Sequence, residues 1–217
     1  MTAPAASADE VLGAFLSAVA AGDRRRAMAA VDGARKDGLD MRAIYLGVLQ
    51  PALREVGRRW ETGAMTVAQE HLATAITQTA MSRLAGEQFR DTEGGPILLA
   101  ACVGAERHAL GLRMVCDLLE LEGWTSLYLG PTVPAADLAR MVAERRPQAV
   151  ALSVSLPPHL LGARDAIAAI RAEGPPQPVV LIGGRAVSGL EMAERLGADL
   201  TAVDAGEAVA LLKQRLS

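Results

Sequence analysis

One change of period constrains this chain more than any other feature. From Ala8 to about Gly86 the apolar residues recur three and four apart; from Pro96 onward they come in short continuous runs separated by helix-period stretches. The first pattern gives each helix one apolar face. The second is that of parallel strands covered by helices on both sides. An α/β chain is expected: a four-helix bundle over 8–86, a linker over 87–95, and a five-stranded doubly wound parallel sheet over 96–217.

Breaks inside the first half set the helix count. Asp9 is a candidate cap for a helix carrying Val11, Leu12, Phe15, Leu16 and Val19, and Gly22-Asp23 ends it and caps the next, through Met28 and Val31. Gly38 stops the second helix and Asp40 opens a third. Pro51 lies inside that third helix and predicts a kink or boundary near Gln50. Thr66 to Leu84 reads as the fourth. In the second half, strands are expected at Ile97–Val103, Leu127–Leu129, Ala149–Val154, Val179–Ile182 and Leu200–Val203, with helices after each.

Composition then excludes whole classes. With 217 residues, 51% apolar and 22% charged, the chain can bury a real core in one large or two small domains. Its longest apolar run, around Pro96–Val103, is too short to cross a bilayer. Met1–Ser7 has neither basic residues nor an apolar core, so no secretion signal is expected and the cytoplasm is the expected location. A net charge of −3 argues against a general nucleic-acid binder. Cys102 and Cys116 lack metal-ligand spacing and read as buried free thiols. Aromatics are only 3%, which makes Trp60 and Trp124 stand out.

Chemistry concentrates at the strand ends. After the first strand come Gly104-Ala105-Glu106-Arg107-His108-Ala109-Leu110-Gly111, with neither the glycine pattern of a dinucleotide loop nor a Gly-Lys-Ser/Thr. An imidazole is a good ligand for cobalt, iron, copper or zinc, and a neighbouring carboxylate that accepts its other N–H raises its basicity. One histidine cannot hold a bare metal, but it can complete the coordination of a metal held by a macrocycle. Taken alone, the segment also reads as a surface loop. Forty-one residues separate Gly111 from Ser153-Val154-Ser155, and twenty-seven separate Ser155 from Gly183-Gly184. All three segments leave the same edge of the expected sheet. Hydroxyls there can bond a buried polar ligand, and paired glycines let a bulky group approach the backbone.

This order and spacing resembles the cobalamin-binding domain of methionine synthase, the B12 mutases and the corrinoid proteins: Asp/Glu-x-His-x-x-Gly, then Ser-x-Leu/Thr, then Gly-Gly. Ser155 stands where leucine or threonine is usual. The resemblance implies that His108 is the lower axial cobalt ligand and Glu106 its hydrogen-bonding partner. Arg107 and Gly111 belong to the same motif, and Ser153, Ser155, Gly183 and Gly184 would line the channel for the displaced nucleotide tail.

In the helical half, Trp60 is followed after nine residues by Glu70-His71. By themselves these read as a packed tryptophan and a solvated helix face. Upstream of a B12 domain, the spacing resembles the cap of the CarH-type photoreceptors, in which the tryptophan packs on the upper ligand and the Glu-His pair holds it. Glu61 stands where those receptors carry a histidine after the tryptophan. Gly47, Gly57, Gly63, Ala64 and Ala68, with Arg42, Arg54, Arg58 and Arg59 nearby, would leave room for a carboxylate-bearing second chromophore such as biliverdin. His159, after Pro157-Pro158, reads as a solvated or rim residue, and Arg24-Arg25-Arg26 as an exposed helix face.

The resemblance implies a light sensor without turnover, binding adenosylcobalamin, or alternatively methylcobalamin. With no DNA-reading segment ahead of the bundle, its output is expected to pass through homo-oligomerisation or a separate protein partner, not through nucleic acid or membrane. The alternative is a corrinoid methyl carrier serving a methyltransferase.

Overall fold

The computed structural model of the chain describes residues 6–86 and 94–216. They fall into two compact units, one within 1–89 and the other within 90–217. The linker expected over 87–95 lies outside the described residues except for Gly94 and Gly95.

The first unit is helical: α1 (Ala8–Ala20), α2 (Arg24–Lys36), α3 (Met41–Ile44), a π-helical segment (Tyr45–Leu49), α4 (Gln50–Glu61) and α5 (Val67–Gly86). Ser7, not Asp9, caps α1. Its hydroxyl accepts the Glu10 N–H at 3.3 Å while the Glu10 carboxylate accepts the Ser7 N–H at 2.9 Å, a reciprocal box that leaves Asp9 inside the first turn. Asp23 and Asp40 cap α2 and α3 as the breaks suggest. Thr66 and Gln69 form the same kind of box ahead of α5.

Of the kink or boundary expected at Pro51, the boundary is absent: a π-helical segment leads into it. Proline has no N–H to give the preceding turn. The chain widens just before it, with the Gln50 N–H reaching back to the Tyr45 carbonyl, and α4 continues the same rod. Four helical rods therefore pack as a bundle around Phe15, Ile44, Tyr45, Leu49, Met81 and Leu84, all fully or almost fully buried. The Tyr45 hydroxyl satisfies itself on the Met81 carbonyl at 3.3 Å, tying the π segment to α5.

In the second unit β1 (Ile97–Val103), α6 (Leu110–Leu121), β2 (Thr125–Val133), α7 (Ala135–Arg145), β3 (Ala149–Ser153), α8 (Leu160–Ala172), β4 (Val179–Gly183), α9 (Leu190–Arg195), β5 (Leu200–Ala202) and α10 (Ala205–Leu216) alternate. A single 3-10 turn, Pro157–His159, precedes α8. The five strands are all parallel, in the order β2-β1-β3-β4-β5. β1 and β3 are apolar and buried along almost their whole length, as a sheet covered on both faces requires.

β2 is nine residues long where the pattern predicts three. Gly130-Pro131 reads as a turn, but the strand passes through it on two register shifts, with Gly130 and Thr132 at positive φ.

That strand order places a switch between β1 and β3, whose following loops part to open a crevice. The register makes the edge level: Cys102 pairs with Ser153, and Ser153 with Gly183. Among the described residues no helix is long and apolar enough to cross a membrane.

Candidate functional site

Glu106 sits in the loop leaving β1, and its side chain has no solvent exposure. A buried carboxylate is costly unless its lone pairs are taken up. Here both oxygens are. Oε1 accepts the backbone N–H groups of Arg107 and His108, each at 2.9 Å, and lies 2.5 Å from His108 Nδ1. Oε2 accepts the N–H of Ser155 at 2.7 Å and of Leu156 at 3.3 Å, and lies 3.0 Å from His159 Nδ1. Burial on its own would push this carboxyl up. The His108 ring and backbone, the His159 ring and the Ser155 N–H outweigh it and hold the group well below the usual carboxylate range.

An ionised carboxylate only accepts. His108 therefore donates from Nδ1, and its side chain is 47% exposed; in the neutral ring the lone pair would sit on Nε2. Two more contacts steady the loop: Cys102 Sγ donates to the His108 carbonyl at 3.7 Å, and the Tyr128 hydroxyl to the Ala109 carbonyl at 3.5 Å. Burial, then the Glu106 charge, pushes the Cys102 thiol up to about 12, so it stays a weak donor rather than a nucleophile.

The donor set suits a corrin better than a bare ion. Among the described residues no group of three or more His, Cys, Asp or Glu is placed to hold a metal. A metal ligated at His108 has to arrive with most of its coordination supplied by a macrocycle. His108 is the residue that could ligate such a metal, with Glu106 orienting it.

The remaining motif residues distribute around this centre. Arg107 is exposed, and its backbone N–H is on Glu106. Gly111 is exposed in the first turn of α6, with open space where a Cβ would stand. Ser153 ends β3, buried, and Ser155 contributes its backbone N–H to Glu106. At Gly184 a Cβ would lie 2.2 Å from the Val154 carbonyl oxygen, and φ is +106°. At Gly183 a Cβ would meet the Ala202 carbonyl oxygen at 3.3 Å. The fold itself demands glycine at 184, before any ligand is considered.

His159 is the residue that sequence reasoning misplaced. It is not a solvated rim group: its side chain is 18% exposed and bonded to Glu106. Fifty-three residues separate the two in sequence number, and no local spacing connects them. The rigid Pro157-Pro158 pair ahead of it was the one available signal.

In the helical unit, Glu70 and His71 come together. Glu70 Oε2 lies 2.6 Å from His71 Nδ1, while Oε1 accepts the Thr74 hydroxyl at 2.8 Å. His71 is 74% exposed, with Nε2 facing away from its carboxylate partner. Trp60, at the end of α4, is 36% exposed, and no hydrogen bond joins it to the pair. The space expected for a second chromophore is partly used by the chain. A Cβ at Gly47 would meet Ala8 at 3.2 Å, and Arg58 and Arg59 both bond Glu55, at 2.7 and 2.8 Å. Arg42 and Arg54 also have partners of their own.

Known proteins share both units of this chain. Residues 11–85 and 96–212 each match a family model described as a B12 binding domain. Over 141 residues the chain is 36% identical to the HTH-type transcriptional repressor CarH of Myxococcus xanthus, covering 64% of this chain and 46% of the repressor. The match thus spans less than half of that relative's length. With dimethylamine corrinoid protein 1 of Methanosarcina acetivorans it shares 28% identity over 214 residues, 97% of this chain and 100% of the relative. Among solved structures, the monomethylamine corrinoid protein of Methanosarcina barkeri has the same fold, with a TM-score of 0.86 at 20% identity over 97% of this chain and 100% of that one. A family model spans more than half of the sequence, residues 96–212; the chain belongs to the B12 binding domain family.

Proposed function

We propose that this chain carries cobalamin on His108 and serves a separate protein rather than turning over a substrate itself. The observation that carries this reading is the Glu106–His108 contact of 2.5 Å at the switch point of the sheet. Cobalamin, when bound, supplies a cobalt–carbon bond that is broken by group transfer or by light. Glu106 holds the imidazole in the tautomer that offers Nε2, and the level strand ends at Ser153 and Gly183 border the crevice that would take the nucleotide tail.

Whole-length similarity favours the methyl-carrier role, the alternative of the sequence reading, over the light sensor. The corrinoid proteins correspond to this chain from end to end, whereas the repressor corresponds over part of its own length. In this role a methyltransferase is the partner and methylcobalamin the form bound.

A specific observation keeps the light-sensor reading alive. The helical unit carries a second carboxylate-oriented histidine, Glu70–His71, with exposed Trp60 at the end of the preceding helix. In this role adenosylcobalamin is the form bound, Trp60, Glu70 and His71 are among the residues that recognise it, and the output is a change of oligomer or of partner. Biliverdin would be an added chromophore.

One experiment tests both. The protein is loaded in the dark with adenosylcobalamin or methylcobalamin, with and without biliverdin, and its absorption and size-exclusion profile are recorded before and after green light. A lasting spectral change with altered assembly supports the sensor, and a red-absorbing band identifies the bilin form. Unchanged assembly, with transfer of the methyl group to an added thiol, supports the carrier. Failure to retain either cobalamin removes both.

A further inference from the structure

We propose that His159 is a positioning residue that acts on His108 through the second oxygen of Glu106 and weakens the bond His108 makes to a corrinoid metal. The inference rests on the reading that cobalamin binds at His108. Its basis is the division of labour on one carboxylate: Oε1 faces His108 Nδ1 at 2.5 Å, and Oε2 faces His159 Nδ1 at 3.0 Å.

Two imidazoles therefore share a single buried anion. A carboxylate that accepts a ligand histidine's N–H makes the opposite ring nitrogen a stronger donor. Every further donor on the same carboxylate draws charge from it and reduces that push. Backbone amides on Oε1 and Oε2 do so too, but they belong to the fold. His159 is a side chain, and so it is the adjustable part of the set.

The chain also holds the His159 ring in place. Pro157 and Pro158 stiffen the turn, the His159 N–H closes it on the Leu156 carbonyl at 3.0 Å, and α8 begins at the next residue. Its side chain is only 18% exposed, and a ring swung to solvent would leave Oε2 with the Ser155 and Leu156 amides alone. The same contact links the turn that leads into α8 to the loop that carries His108.

Cyanide competition reads this effect directly, because cyanide displaces a lower imidazole from bound cyanocobalamin with a visible spectral shift. His159→Leu removes the donor, and His159→Gln retains an N–H that can reach Oε2. The full chain loaded with cyanocobalamin is expected to need roughly tenfold more cyanide for half-conversion in His159→Leu than in wild type, with His159→Gln close to wild type. His159→Ala provides a second donor-free variant should leucine not fold, and circular dichroism checks both. A midpoint that is unchanged or lower in both donor-free variants overturns the proposal. His108→Ala separates the two levels of failure. If its spectrum and midpoint match wild type, His108 is not the ligand and the cobalamin reading falls with the proposal. If only the His159 variants fail to shift, the proposal alone is wrong.

Discussion

The backbone N–H of Ser155 lies 2.7 Å from Oε2 of Glu106, so a residue after β3 is bonded to a carboxylate after β1 across the switch point of the sheet. The two loops that border the crevice are thus joined through one buried anion. Because donors hold this carboxyl below its usual range, its contribution to stability is fully present above the unfolded value of about 4.3 and is lost as pH falls below it. Replacing Glu106 with Gln sets an NH2 group against N–H donors. At pH 7 the loss expected is about 2 to 3 kcal/mol in the unfolding free energy of the cofactor-free protein. Urea midpoints taken between pH 7 and pH 3 check the sign: the gap between wild type and Glu106→Gln should narrow as pH falls. A gap that is constant with pH would mean that the carboxylate is not the stabilising species.

Two glycines of the motif are expected to respond oppositely. Gly184→Ala places a Cβ 2.2 Å from the Val154 oxygen at a φ of +106°, and about 2 kcal/mol or more of stability should be lost whether or not a cofactor is present. Gly111→Ala meets nothing within 4 Å inside a helix, where alanine is favoured over glycine by up to about 1 kcal/mol. It should leave folding intact or improve it while weakening cobalamin binding, if the corrin approaches that turn. Thermal unfolding and cobalamin titration of the two variants separate a fold requirement from a ligand requirement. Equal binding by Gly111→Ala and wild type would remove Gly111 from the site.

Much of this was legible because the signals were local. The change of period near Pro96, the caps Asp23 and Asp40, and the strand cores are each written in a few consecutive residues. Glu106 and His108 were legible together because they are two apart on one loop. What stayed hidden depended on distant pairing. His159 reaches Glu106 only after two parallel strands align, and Gly184 is explained by a carbonyl thirty residues earlier in the chain. β2 was shortened because Gly130-Pro131 has the composition of a turn, and only its neighbour β1 keeps it extended. Pro51 signals a kink or boundary near Gln50, because the π option, in which one wider turn absorbs the missing donor, leaves no residue signature.

The two cysteines should be silent to thiol reagents in the folded protein. Burial, then the Glu106 charge, pushes Cys102 up to about 12, and burial followed by the charges of Asp117 and Glu120 pushes Cys116 up as well. Thiolate is the reactive form, so at pH 8 both are expected to react only as fast as the protein opens. A colorimetric disulfide reagent should find no rapidly reacting thiol without denaturant and two with it. A fast-reacting thiol in the native protein would show that one of these pockets is open to solvent.

The histidine of the helical unit separates the two proposed roles. Glu70 fixes His71 Nδ1 at 2.6 Å and is itself steadied by Thr74, an arrangement with no evident use for folding because the histidine is 74% exposed. His71→Ala should therefore leave the melting temperature within about 2 °C of wild type, since exposed substitutions usually change stability by no more than about 0.5 kcal/mol. If the chain is a light sensor, the same variant loaded with adenosylcobalamin should lose the assembly change that follows green light, and Glu70→Ala should lose it too. If the chain is a methyl carrier, both variants should transfer a methyl group to an added thiol at the wild-type rate and show no light-dependent assembly to lose. Size exclusion before and after illumination, run beside the transfer assay, gives each role an outcome that the other forbids.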